Sequence, residues 1–253
     1  MNNQANLVID IGTSTIDAVI ATQKQNGHIS VLGTGTVKTE GLDRGTITNI
    51  DQLGSSIKKA VQSAKRTSDE MITAATVSIP GSYTKTIRST GSIIIPNGFI
   101  TEREIKKVLE TAYHNGSTIP EYEVIHVLPI YFKVDDVQSD SPINMTGSTL
   151  EASVSIVIAK KSALVNIANA LKPSNLDVEN FVLSGYASCL STLQEDERRF
   201  GSLVLDLGAS NADITLYHGK SILFSDFIPI GSQYLTHDIS HTFNTPLITA
   251  EMV

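Results

Sequence analysis

The segment LVIDIGTSTID at residues 7–17 recurs as LVLDLGASNAD at residues 203–213, an offset of 196 with six of eleven positions identical. A chain that carries one supersecondary unit twice at such a separation folds as two related lobes that open in the same way. Each copy is an apolar run ending in a carboxylate (Asp10, Asp206), with a glycine two residues on (Gly12, Gly208) and a serine two further (Ser14, Ser210). The alternating residues of a second strand follow, so each copy predicts a β-hairpin with an acid at its tip. By the same alternation Asp17 and Asp213 fall on the polar face and are expected as solvent-side strand residues.

Around these hairpins the chain reads as α/β. Strand patterns at 28–37 and 45–47 precede a helical one with Ile50, Leu53, Ile57, Val61 and Ala64 at spacings of three and four, and a buried strand follows at 75–79. Strands then a helix then a strand make one lobe. The stretch 81–147 breaks that pattern with strands near 84–95 and 124–134 and a helix opening at Thr101. Glu104, three residues on, completes a capping box, and Asn115-Gly116 ends the helix. It reads as a small inserted α+β subdomain, with the polar segment 135–142 as an exposed loop. Alternation resumes at 149–158. A helix at 161–171, a strand near 180–183 and an interlobe helix at 185–193 return the chain to the first lobe. The division is 1–80 with 148–195 for the first lobe, 81–147 for the insertion, and 196–253 for the start of a second lobe that stops before completion.

A tight turn rich in Gly, Ser and Thr aims successive backbone N–H groups at one anion, and glycine serves there because it tolerates positive φ and close approach. Two such tips facing across a cleft would grip a polyphosphate from both sides, with Asp10 and Asp206 placed to hold Mg²⁺ through water.

Composition removes other classes. With 253 residues, 41% hydrophobic and 18% charged, this is an ordinary folded chain of one to two domains. A net charge of -7 with no basic run longer than a pair argues against an electrostatic grip on nucleic acid or lipid. Cys189 is the only cysteine, which excludes an intrachain disulfide and fits a reducing, cytoplasmic compartment. Residues 1–6 lack the pattern of a signal peptide, and no window is apolar enough to span a bilayer. The six histidines show no spaced partner for metal or catalysis. Ser184, Ser188 and Ser191 lack a nucleophile-elbow pattern, so no Ser/His/Asp constellation stands.

The paired DIGTS and DLGxSxxD hairpins resemble the actin, Hsp70 and sugar-kinase superfamily, in which ATP and Mg²⁺ lie between duplicated RNase H-like lobes. The stretches GLDRGTITNI (41–50), HVLPIYFKVD (126–135), SPINMTGSTLE (141–151) and LTHDISHTFNTPLITAE (235–251) narrow this, and the chain is similar along nearly its whole length to the FtsA family of bacterial cell-division proteins. That resemblance implies an actin-like fold whose insertion is an SHS2-like subdomain. It implies a protein that binds ATP, polymerises beneath the inner membrane at the division site, anchors the FtsZ ring through a C-terminal amphipathic helix, and recruits later division proteins through 81–147. Carried over by motif, the nucleotide-binding positions are Gly12, Thr13, Ser14, Gly208, Ser210 and Asn211, with Asp10 and Asp206 near Mg²⁺.

Two departures matter. The second hairpin of the family usually reads DIGGGTTD, and here Ala209 and Ser210 replace two glycines and Asn211 a threonine, which predicts a looser approach to phosphate. Ser184 stands where related ATPases carry a water-activating acid, so at most weak ATPase activity is expected. The family's remaining second lobe, adenosine-binding segment, FtsZ-tail pocket and membrane helix have no counterpart in these residues, so the chain by itself is expected to stay cytoplasmic. A sugar- or acetate-kinase-like phosphotransferase shares the hairpins but needs a catalytic base that no candidate supplies. An actin-like scaffold of pilus assembly is the other alternative.

Overall fold

The computed structural model describes residues 5–24, 26–68, 70–116 and 119–252. The first hairpin is β1 (Ala5–Ile11) with β2 (Thr15–Gln23), continued by β3 (Ile29–Lys38). A short hairpin of β4 (Leu42–Asp43) and β5 (Thr46–Ile47) leads into α1 (Ile50–Lys65) and β6 (Ala74–Ile79). Next come β7 (Thr84–Ile94), α2 (Glu102–Gly116), β8 (Tyr122–Val134), β9 (Val137–Ser139) and β10 (Thr149–Lys160). Then α3 (Lys161–Leu171), β11 (Asp177–Leu183), α4 (Ser184–Thr192) and α5 (Glu195–Phe200) follow. The chain ends with β12 (Ser202–Leu207), β13 (Ala212–His218), β14 (Ser221–Ile228), α6 (Ser232–Thr242) and α7 (Leu247–Ala250).

The first sheet has the order β11-β6-β1-β2-β3, with β1 antiparallel to β2 but parallel to β6. The apolar spacing seen in the sequence is why α1 lies on it. Leu53, Ile57, Val61 and Ala64 are all buried and meet Leu7, Ile9, Ile16, Ala18 and Ile20 in one core, which α3 completes with Leu164, Ile167 and Leu171. Asn49 caps α1 by accepting the Gln52 N–H at 3.0 Å.

The second sheet, β7-β10-β8-β9, packs on α2. The α2 capping box forms as expected: the Thr101 N–H donates to Glu104 Oε2 at 3.0 Å and the Arg103 N–H to Thr101 Oγ1 at 3.3 Å. Two readings differ here. β10 is the central strand of this sheet, paired with both β7 and β8, so the sheet continues past residue 147, where the sequence reading ends the insertion. Its alternating sequence suggests a half-exposed strand, yet Ala152 through Ala159 are all buried, because Ala152, Val154, Ile156 and Ile158 pack into the core with α2 while Val157 packs with Leu183, Tyr217 and Ile222 on the other face. Residues 135–142 are not simply a loop. Asp135 and Asp136 take φ of 46° and 69° and turn the chain into β9, and the Asp135 carboxylate accepts the Thr149 N–H at 2.8 Å.

The third sheet, β12-β13-β14, repeats the β1-β2-β3 arrangement in the same register, Asp206 opposite Asp213 as Asp10 is opposite Asp17. Exposure differs at equivalent repeat positions. Leu7 and Ile9 are 2% and 0% exposed beneath α1 and α3, whereas their repeat equivalents Leu203 and Leu205 are 59% and 55% exposed, with Leu207 at 75% on the same face. A bare patch of this kind binds hydrophobic dyes. The 253-residue chain is therefore expected to bind 1-anilinonaphthalene-8-sulfonate in its native state, and replacing Leu203, Leu205 and Leu207 together with threonine should remove most of that fluorescence. Native protein that leaves the dye dark would show that this face is covered.

Candidate functional site

Both hairpin tips are built alike. The Gly12 N–H donates to the Thr15 carbonyl at 3.0 Å, and the Gly208 N–H to the Asn211 carbonyl at 2.9 Å. Neither glycine has positive φ. Close approach is what requires them: a Cβ on Gly12 would stand 2.8 Å from the Thr15 oxygen, and one on Gly208 2.9 Å from that of Asn211. The backbone N–H groups of Thr13, Ser14, Ala209 and Ser210 donate to no acceptor among the described residues. Unsatisfied donors on a tight turn make an anion-binding nest.

Each tip acid is held by a serine from a neighbouring element. Ser78 Oγ on β6 donates to Asp10 and accepts the Ile11 N–H at 3.1 Å. Ser188 Oγ on α4 donates to Asp206 Oδ2 at 2.6 Å. The same pairing recurs across the duplication although the two serines come from a strand and a helix.

Between the tips lies a cavity of about 170 Å³. Asp10, Gly12 and Thr13 line it from the first hairpin, and Asp206, Gly208 and Asn211 from the second. Ser14 and Ser210 do not line it. Ser14 is exposed, and Ser210 is buried with its Oγ unpartnered. The structure adds residues that sequence reasoning did not select, Ser78, Pro80 and Tyr83 behind the first tip and Leu42, Gly45 and Ile47 from the β4-β5 hairpin, and it places Ser184, at the head of α4, on the cavity wall. Gly45 meets the second lobe directly, since a Cβ there would lie 2.3 Å from Asn211 Nδ2.

Asp213 corrects the expectation of a solvent-side residue. It is 9% exposed and lines the cavity, with Oδ2 accepting the Gly81 N–H at 3.2 Å and Oδ1 without a partner. Asp17, at the same repeat position, is half-exposed and accepts from Thr15 and Thr36 hydroxyls at 3.0 and 2.5 Å, as alternation predicts. The difference is tertiary. In the second hairpin this face packs on α4 and on the turn after β6, and burial pushes the Asp213 carboxyl up to about 6, aided by the Asp206 and Asp10 charges and opposed by the Gly81 bond.

These residues fit a phosphate chain with an associated cation. Orphaned N–H groups at both tips would take phosphate oxygens. The described residues contain no cluster of three or more His, Cys, Asp or Glu able to hold a metal ion, so Asp10 and Asp206 fit Mg²⁺ through water and phosphate oxygens rather than as an all-protein cage. The cavity volume, near 170 Å³, falls below the roughly 300–1,000 Å³ of sites that enclose a whole cofactor.

The other singled-out groups are structural. His126 Nε2 accepts the Leu183 N–H at 3.1 Å, which requires the neutral ring, and burial lowers its pKa in agreement. Cys189 is fully buried, its thiol pushed up to about 11 by desolvation, and is inert.

Two duplicated hairpins gripping a central cleft define an actin-like protein, and solved structures agree on that fold. A chain of a PilM-PilN type IV pilus biogenesis complex aligns with a TM-score of 0.67 at 18% identity, covering 99% of this chain and 69% of that one. MreB 5 of Spiroplasma citri bound to AMPPNP aligns at 0.51 with 12% identity, covering 100% of this chain and 62% of that one. Family models then narrow the class: "SHS2 domain inserted in FTSA" matches residues 81–158, and "Cell division protein FtsA" matches 203–253. Curated proteins named cell division protein FtsA are 30% identical over 269 residues in Helicobacter pylori strain J99 and 32% identical over 248 in Neisseria meningitidis strain MC58. Each match covers 97% of this chain, and the chain spans 54% and 59% of those relatives. Over nearly its whole length the chain is similar to FtsA cell division proteins.

Proposed function

We propose that this chain works in bacterial cell division as an actin-like assembly protein that binds ATP with Mg²⁺ between its two hairpin tips. The observation that carries the reading is the duplicated tip: an acid oriented by a serine, a glycine pinned by close approach, and unpartnered N–H groups, present once on each side of one cavity. Gly12, Thr13, Gly208 and Asn211 would hold phosphates, and Asp10 and Asp206 the hydrated cation. Ser14 and Ser210 belong to the reading through their backbone N–H groups. ATP with Mg²⁺ would set phosphate oxygens against the free N–H groups of both tips. Ser184, which contributes no carboxylate to the cavity wall, supports binding and assembly over turnover.

In this reading the protein self-associates into filaments, joins FtsZ at the division ring on the cytoplasmic face of the inner membrane, and uses the inserted region for later division proteins. Among the described residues no helix is long and apolar enough to cross a membrane, which fits attachment at the surface through other means. Family models over 81–158 and 203–253 favour division over pilus assembly. Deleting the gene in the host bacterium tests this. Long undivided cells are expected; normal division with loss of surface pili would overturn the reading.

A further inference from the structure

α6 carries His237 and His241 four residues apart, so the two imidazoles rise from one face of the helix a single turn from each other. Both line one surface pocket between α6 and α7, together with Asp238, Ser240 and Asn244. Both rings are exposed, and neither has a hydrogen-bond, ring or ion-pair partner among the described residues. The pocket lies at the C-terminal end of α6, where the helix carbonyls favour positive charge. Sequence analysis assigns none of the six histidines a role, and the fold sets these two on the wall of one pocket.

We propose that His237 and His241 form a two-nitrogen site for a borderline divalent transition metal such as Ni²⁺ or Zn²⁺. Imidazole nitrogen suits these ions, whereas Mg²⁺ prefers an oxygen shell, so the site selects a different class of metal from the interlobe cleft. No cluster of three or more His, Cys, Asp or Glu able to hold a metal is found among the described residues, so water completes the coordination shell.

Calorimetric titration of the intact chain with Ni²⁺ tests the site. One equivalent is expected to bind, to survive excess Mg²⁺, to weaken in His237→Gln and in His241→Gln, and to vanish in the double variant. His218→Gln, which removes an exposed histidine elsewhere, should leave binding intact. Circular dichroism matching the parent establishes that the variants are folded. Because Cu²⁺ broadens the signals of nearby nuclei, broadening confined to α6 and α7 in the nuclear magnetic resonance spectrum would locate the ion independently. Undiminished Ni²⁺ binding by the double variant, displacement by Mg²⁺, or broadening centred on the interlobe cleft would overturn the proposal.

Discussion

Gly35→Val is expected to destabilise the chain by at least about 3 kcal/mol, the upper end of what overpacking ordinarily costs. Gly33 and Gly35 stand two apart on β3 and so present the same face, over which α1 crosses. A Cβ built on Gly35 falls 2.1 Å from the Ala60 carbonyl oxygen and 2.8 Å from the Ala64 amide nitrogen; one on Gly33 falls 2.0 Å from the Ala64 oxygen. These neighbours are helix backbone, which cannot rotate aside as a flexible side chain would. The helix must therefore lift from the sheet, taking Leu53, Ile57 and Val61 away from Leu7, Ile9 and Ile20. Valine adds a branched side chain to that clash. Urea denaturation measures it, with Gly27→Asn as the mild comparison: Gly27 has φ of 80°, which asparagine tolerates, and open space around it. A midpoint for Gly35→Val equal to that of the parent would mean that α1 does not rest on the β3 backbone.

Asp213→Asn is expected to stabilise the protein at neutral pH and to flatten its acid profile. Its folded carboxyl sits at about 6 against an ordinary value of 3.8, so the native state holds this proton more tightly than the unfolded chain does. Between those values the native state binds more protons than the unfolded state, and stability falls as pH rises. Above about 6 the full penalty stands. Roughly two pKa units correspond to about 3 kcal/mol. Asparagine carries no charge into the cavity and keeps an oxygen for the Gly81 N–H. The variant should therefore gain up to about 3 kcal/mol over the parent at pH 7.5 and little at pH 4. Thermal unfolding at the two values measures the difference. A variant no more stable than the parent at pH 7.5 would show that the Asp213 carboxylate carries no burial penalty.

The hairpins, the α1 stripe, the α2 capping box and the interlobe helix were legible because each is a local pattern: strand alternation, helical spacing, or a cap three residues from its partner. What escaped depends on what lies opposite. Asp17 and Asp213 occupy the same repeat position, yet only Asp213 is covered, by α4 and the turn after β6, and no local signal distinguishes them. Of the two reasons for glycine at the tips, close approach and positive φ, the fold uses the first, which depends on the carbonyl of the residue facing it. Ser78 and Ser188 look like ordinary serines in a strand and a helix until the fold brings them against Asp10 and Asp206. β10 alternates like a half-exposed strand and becomes a central one because β7 and β8 flank it.

The central claim is that the two tips jointly hold the phosphates of a nucleotide, and Mg²⁺-dependent ATP binding by the purified 253-residue chain tests it most directly. Because the tips offer backbone N–H groups for phosphate and the cavity between them, about 170 Å³, is small for a whole cofactor, the account predicts binding weaker than micromolar, with inorganic triphosphate competing as well as ATP. Replacing Asp10 and Asp206 together with alanine should remove the Mg²⁺ dependence and weaken binding at least about tenfold, equivalent to 1.4 kcal/mol. Sub-micromolar affinity, preference for ATP over triphosphate, or binding indifferent to the loss of both acids would contradict it.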